Sequence, residues 1–504
     1  MEVTQEARLT NKEVFGYAFY SLASLFGNMT FAFRAMFYTN IGMNLAMFTT
    51  ALMIARVADF FITLAVGGII EKSNLKFGGG GKYRPWLFIC QFTIVAGLIL
   101  TFFDIVPGND AVRFATLVVA SILVSSSMSF IMTCQFGIVP QMAGASTVDR
   151  VKLTTWNYRL MTLGTVFTSM LSAYVVTWVG LVIPPPMNYT VTTAAFSVFY
   201  FLGIFVLRKT AKPYDVRAEL KPGGMAPPQV KIGDMVKAVA TNSQLLIYLL
   251  ANTLSFTGMM IMMNIVIYYW QLIVPFTHGV DLGVSFPGLY TIGQTITTIM
   301  SFIFSLFAPI LGNKLGKVRA MWVGLLLTAL SGGLNFFFGA GVWALYVGIS
   351  MIGTFAGALF AGFGVNYALD CGEYGLWKTG QDHRLVIMSM TNMPMKIAGI
   401  IGMFALYALA AIGFDSSQVP AALASNTLPA FLTDEFVTGY MFLLVGVSAI
   451  LNFIAAFLMI FLYKIKDEDA VRYAKENQER MQAAGGGMPG GPGAGAPKPA
   501  AEEA

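Results

Sequence analysis

RVADFFITLAVGG, residues 56–68, puts an arginine and an aspartate inside a mostly apolar, otherwise uncharged run from Gly42 to Ile70. A run of that length crosses a bilayer, and charge at such depth is costly unless it meets an opposite charge or an aqueous cavity. Arg56 and Asp59 are three residues apart, so on a helix they share a face and are expected to form an ion pair. Whether such a pair only braces the span, or Asp59 faces a cavity and binds a cation, depends on the rest of the chain.

The chain has 504 residues, of which 56% are hydrophobic and 11% charged. A soluble domain carries roughly 25% charged residues, and the mean hydropathy is +0.69. This is the composition of an integral membrane protein. The polar start, MEVTQEARLTNKEVFG, lacks the apolar core and small-residue cleavage site of a secretory signal. Cys90, Cys134 and Cys371 follow no disulfide or metal spacing, and the two histidines, His278 and His383, fall in expected loops. Redox, zinc and haem chemistry are not expected, and neither is any cofactor.

Stretches long enough to span fall at 13–40, 43–70, 86–106, 112–140, 154–183, 189–207, 245–274, 287–312, 320–340, 342–369, 386–413 and 437–463. The expected fold is therefore all-α, with twelve transmembrane helices. Of 31 Lys and Arg, the loops on one side hold only Arg113, and four lie within spans: Arg34, Arg56, Arg159 and Lys396. The rest fall on the side of the two termini, which the positive-inside rule makes cytoplasmic. We expect a multi-pass protein of the inner (plasma) membrane. The basic balance then faces lipid headgroups, not nucleic acid.

The longest basic loop starts at Arg208 and divides the spans six and six. This gives a first bundle over 1–207, a linker over 208–243, a second bundle over 244–465 and a tail over 466–504. The tail ends in GGGMPGGPGAGAPKPAAEEA, which cannot form a core and reads as disordered. The halves also echo one another: GGIIEKSNLKFGGGGKYRPW follows the second span and APILGNKLGKVRAMW ends the eighth. A parallel repeat of six spans is the pattern of major facilitator transporters, which bind substrate between the halves at mid-membrane.

Among the carboxylates, only Asp59 lies deep in a span. A buried carboxylate can hold a proton or coordinate Na⁺ through oxygen. Lys396 follows Pro394 in SMTNMPMKIAGIIG, where a proline interrupts the eleventh span. It either faces a cavity or snorkels to the inner surface, and Arg159 poses the same choice closer to that surface. Arg34 reads better as an interfacial anchor than as a ligand.

Four motifs together resemble the glycoside–pentoside–hexuronide:cation symporters, the melibiose permease-like branch of the major facilitator superfamily. They are RVADFFITLAVGG with GGGGKYRPW, VPQMAGASTVDRVKLTTWNYR, DCGEYGLWKTG and TNMPMKIAG, and the resemblance covers about residues 12–465. It implies two pseudo-symmetric six-helix bundles and cation-coupled symport of a small glycoside or related solute. By resemblance, Asp59 falls on a cation-binding aspartate and Ser129 on a hydroxyl near the cation. Arg159, Lys396, Thr391, Asn392 and Phe136 fall on substrate-site positions, Phe136 as a ring stacking on the sugar.

The departures are informative. A second cation carboxylate is Thr63 here, and two sugar-binding aspartates align near Ala23 and Met132. The thinner oxygen shell favours H⁺, although the Thr63 and Ser129 hydroxyls leave Na⁺ open. With Arg56 paired to Asp59, Arg159 and Lys396 remain uncompensated, and this favours an anionic solute such as a hexuronide. The competing class is a membrane-embedded enzyme or receptor without transport. No catalytic cluster, metal spacing or Walker loop supports it, since GGGG at 78–81 is not followed by Gly-Lys-Ser/Thr.

Overall fold

The computed structural model describes residues 9–73, 75, 80–143, 147–215, 241–279, 282–361, 364–380, 387, 391 and 393–483. Most of the linker, the end of the tail, His383 and Asn392 lie outside the described residues. No strand occurs among those described, and nine of their helices are each long and apolar enough to cross a membrane.

The first half begins with α1 (Asn11–Gly27) and α2 (Arg34–Asn40), one span broken between the two. It continues with α3 (Leu45–Lys72), α4 (Arg84–Thr101), α5 (Asp110–Ala143), α6 (Thr147–Val182) and α7 (Met187–Ala211). In the second half, α8 (Ser243–Tyr268) and α9 (Val274–His278) are joined by a π turn at Tyr269–Ile273. Next come α10 (Leu282–Leu315), α11 (Lys317–Phe338), α12 (Trp343–Ala361) and α13 (Gly364–Thr379). The eleventh span is α14 (Met393–Ile401) with α15 (Phe404–Ala411), and α16 (Gln418–Ser425) lies in the following loop. The last span joins α17 (Asp434–Met441) to α18 (Val447–Phe461) through a second π turn, Phe442–Gly446. A polar helix, α19 (Asp467–Ala483), follows it.

Three apolar cores hold these helices. One joins both halves on the side away from the termini: Phe37, Tyr38 and Phe48 pack in the same cluster as Tyr268, Trp270, Phe414 and Tyr440. The other two lie on the terminal side and each stays within one half, around Leu87 and Leu207 in the first and Met321 and Tyr367 in the second. Hydrogen bonds between the halves follow the same division. Thr39 meets the Tyr268 hydroxyl at 2.9 Å, Thr50 meets that of Tyr407 at 2.6 Å, and Ser416 donates to the Met43 carbonyl at 3.3 Å. Among the described residues, the apolar core that the halves share lies on the far side.

The sequence echo has a structural counterpart. After the sixth span, Asp215 accepts backbone N–H bonds from Lys82 (2.9 Å), Tyr83 (3.0 Å) and Arg84 (2.8 Å), capping the start of α4. After the twelfth, Asp467 accepts from the Lys317 N–H at 2.8 Å, at the start of α11. Each carboxylate lies against a glycine in the left-handed region, Gly81 at φ +88° and Gly316 at φ +85°. A Cβ there would stand 2.4 Å and 2.6 Å from the respective aspartate, so both the backbone conformation and the close approach call for glycine. On the same side, α19 packs on α13 through Trp377 Nε1 to Glu476 (2.6 Å) and Asn477 Nδ2 to Glu373 (2.8 Å).

Candidate functional site

Asn44 caps α3, its Oδ1 accepting from the Ala46 N–H at 2.8 Å, and from there the helix runs unbroken past Asp59. Asp59 is 1% exposed. One oxygen, Oδ1, accepts from Ser129 of α5 at 3.0 Å and from Thr63 at 3.4 Å, and those two hydroxyls are 3.0 Å apart. The other, Oδ2, receives the Lys396 Nζ at 2.7 Å. That lysine comes from the second half, 337 positions away, and its Nζ also lies 3.4 Å from Ser129 Oγ.

This corrects the expected pairing. Among the described residues, Arg56 forms no ion pair with Asp59; the carboxylate is neutralised by Lys396 instead. The i,i+3 spacing puts Arg56 and Asp59 near each other, but Lys396, reaching across the interface, makes the direct contact. Pro394 also has a different place from the one expected. It stands in the first turn of α14, where a missing N–H breaks no helical bond, so it starts the helix that carries Lys396.

Among the described residues, the other basic groups within the spans form no ion pair, although Arg56 still feels the charge of Asp59. Arg34 is buried at 9% exposed, with its guanidinium 4.5 Å from the centre of the Phe31 ring. Arg56 is half-buried and lies close enough to Arg34 for the two charges to repel. Among the described residues, neither makes a hydrogen bond or an ion pair. Arg159 is exposed on α6, 5.6 Å from the Trp156 ring centre. Two turns from Ser129 on α5, Phe136 presents a ring that is 54% exposed. Thr391 lines a cavity of about 790 Å³ in the second half.

A buried polar cluster was not anticipated. Gln135 of α5, 5% exposed, donates to Asn157 of α6 at 2.9 Å, and Asn157 accepts from Ser21 of α1 at 2.5 Å. No single stretch signals it, because its members come from three helices. Among the described residues, no group of three His, Cys, Asp or Glu side chains is placed to hold a metal ion. Among the described residues, the side-chain oxygens joined by hydrogen bonds at Asp59 are its own carboxylate and the two hydroxyls of Thr63 and Ser129.

A twelve-span, two-bundle protein with a charged pair between its halves is a membrane carrier of the major facilitator type. Residues 16–467 match the family model for MFS/sugar transport proteins, and the chain belongs to that family. It is 25% identical over 497 residues to an Escherichia coli (strain K12) protein named as a candidate 2,3-dihydroxypropane-1-sulfonate exporter, covering 95% of this chain and 97% of that one. It is 23% identical to the isoprimeverose transporter of Lactiplantibacillus pentosus, over 84% of this chain and 86% of the other. A Bacillus subtilis (strain 168) protein, the uncharacterized symporter YjmB, is 22% identical over 95% and 98% of the two chains. Among solved structures, a peptide transporter POT mutant with alafosfalin matches with TM-score 0.60 and 15% identity, covering 90% of this chain and 96% of that one. The nucleoside transporter NupG matches with TM-score 0.58 and 12% identity, covering 90% and 100%. At such identities the structural likeness speaks to fold alone, and the fold is that of major facilitator transporters.

Proposed function

We propose that this protein couples a cation gradient, H⁺ before Na⁺, to the movement of a small anionic, hydroxyl-bearing solute by alternating access. The inner membrane is its expected place, with both termini cytoplasmic. The observation that carries this reading is the Asp59–Lys396 pair, 2.7 Å across the boundary between the halves. An ammonium here occupies the position a coupling cation needs. Protonating Asp59, or placing Na⁺ among Asp59, Thr63 and Ser129, removes the reason for Lys396 to stay. The freed ammonium then adds to the positive charge that Arg159, Arg56 and Arg34 carry within the spans of the first half, which an anionic solute neutralises. Cation arrival thus raises affinity for the anion, and by linkage the anion raises affinity for the cation.

Relatives support the solute class in part. One name contains a sulfonate and another the glycoside isoprimeverose. A single carboxylate with two hydroxyls is a thin shell for Na⁺ and sufficient for a proton, so H⁺ is the preferred ion. The test is uptake into proteoliposomes under imposed H⁺ or Na⁺ gradients, with methyl glucuronide and its neutral methyl ester as solutes. Concentrative uptake of the acid driven by the pH gradient, and lost with a protonophore, is expected. A saturable Na⁺ dependence that survives the protonophore would reverse the ion assignment. Accumulation of the ester alone would reverse the charge assignment.

A further inference from the structure

The rim between α4 and α7, on the side of the termini, gathers basic side chains. Lys82 and Arg84 stand at the start of α4, and Arg208, Lys209 and Lys212 at the end of α7. Arg84 is 9% exposed and lies close enough to Arg208 for the two charges to repel. An anion shared between them would replace that repulsion with attraction. Arg208 is half-buried, and its Nη1 donates to Gln91 Oε1 at 2.8 Å. Gln91, 1% exposed, donates in turn to the Phe201 carbonyl at 3.0 Å. A neutral amide thus holds the guanidinium in the seam without adding a negative charge. Asp215, the carboxylate that caps α4, has both oxygens engaged by the N–H groups of Lys82, Tyr83 and Arg84.

Below this rim the seam turns apolar and aromatic. The Arg208 guanidinium lies 4.5 Å from the centre of the Phe88 ring. Phe88 meets Phe92 edge-on at 5.2 Å between ring centres, and Phe92 meets Phe201 at 5.4 Å. The rings descend from the rim, because α4 leaves that side at Arg84 and α7 arrives there at Ala211. Phe92 is 51% exposed, Phe205 48% and Leu202 44%. Apolar side chains this bare on a span lie against acyl chains, which are as apolar as they are. Charge above and bare rings below follow one line, the layout of a phospholipid.

We infer that the Arg84–Arg208 rim and the Phe88–Phe92–Phe201 seam beneath it bind one anionic phospholipid, its phosphate on the arginines and its acyl chains along the rings. Basic pockets between spans on the cytoplasmic side bind anionic headgroups, and guanidinium forks match phosphate oxygens. The bound lipid ties the start of α4 to the end of α7, the two places that the Asp215 cap also joins. The inference rests on the proposed orientation, which puts this rim at the inner leaflet.

The experiment uses the full chain in neutral detergent micelles, titrated with dioleoyl phosphatidylglycerol and followed by native mass spectrometry. Dioleoyl phosphatidylcholine and free glycerol phosphate are the comparison probes. The first phosphatidylglycerol is expected to bind about tenfold or more tighter than phosphatidylcholine. A basic side chain near a headgroup is worth about a fivefold factor, so Arg208→Gln and Lys209→Gln should each lower that preference by about this much. Lys209 is exposed, so its variant removes a charge without disturbing the Gln91 contact. Arg319→Gln, at an exposed position near the start of α11, should leave the preference unchanged. Equal affinity for the two phospholipids overturns the inference. An equal loss in Arg319→Gln overturns it too, since the attraction would then be diffuse. Displacement of the lipid by equimolar glycerol phosphate overturns the assignment to a lipid. Micelles have no sides, so none of these outcomes depends on orientation. Orientation is tested apart: in right-side-out vesicles Lys209→Cys should resist an impermeant maleimide until the membrane is opened, the three native cysteines being buried. Labelling from outside would overturn the orientation and leave the site standing in the other leaflet.

Discussion

The two halves share a scaffold and differ in chemistry. Each ends its last span with an aspartate that caps the third helix of that half, and each sets that aspartate against a glycine at nearly the same positive φ. Within the spans the likeness stops. The first half holds Asp59, Arg34, Arg56 and Arg159, whereas among the described residues the second contributes Lys396 and a cavity with no charged side chain in its lining. A duplicated bundle needs its helix ends satisfied in both copies, because an unpaired backbone N–H costs the same in each. Nothing requires both copies to carry the same charges inside, so the side chains of the interior were free to diverge.

Removing the one charge on which both halves depend should have the largest effect. Asp59→Asn is expected to reduce gradient-driven accumulation in proteoliposomes to the level of empty vesicles, since the amide cannot carry the charge change that coupling needs. Concentrative uptake by this variant would leave the pair as mere bracing between the halves.

The next test asks whether the halves are coupled through that pair. Lys396→Gln leaves Asp59, 2% exposed at its side chain, as a buried carboxylate without its ion-pair partner. Breaking a buried pair from one side costs about 3–5 kcal/mol, and the lower end applies here because Lys396 is a quarter exposed. Thermal unfolding in micelles should show this loss, and the double variant Asp59→Asn/Lys396→Gln should recover most of it. Additive losses would mean that the two residues act independently.

Charge recognition in the first half is tested by Arg56→Gln. A charge-assisted contact is worth roughly 1.5–3 kcal/mol, so affinity for methyl glucuronide should fall about ten- to a hundredfold and affinity for its ester very little. Equal losses would remove charge recognition from the first half.

The smallest effect concerns what the halves have in common. Asp215→Ala and Asp467→Ala should each cost about 0.5–2 kcal/mol, as other helix caps do. Asp215 should cost more, since it accepts from three successive N–H groups where Asp467 accepts from one. Melting temperatures of the two variants check the order, and a larger loss at Asp467 would break the analogy.

Much of this architecture is legible in one dimension because hydropathy is local. A bilayer selects spans by their own residues, so twelve apolar runs, a basic loop between six and six, and the depth of Asp59 can all be read directly. The GGGGKYRPW and LGNKLGKVRAMW turns were legible as a repeat for the same reason, although the aspartates that meet them were not. What pairs with Asp59 was decided only by tertiary structure. Spacing along α3 nominates Arg56, three residues away, whereas packing of α14 against α3 delivers Lys396 from 337 residues away. The second-half cavity follows the same rule. Gln294, Asn335, Trp270 and Thr391 are unremarkable within their own segments and line one cavity only where the spans of the second half converge, because a cavity is a property of packing and not of any one helix.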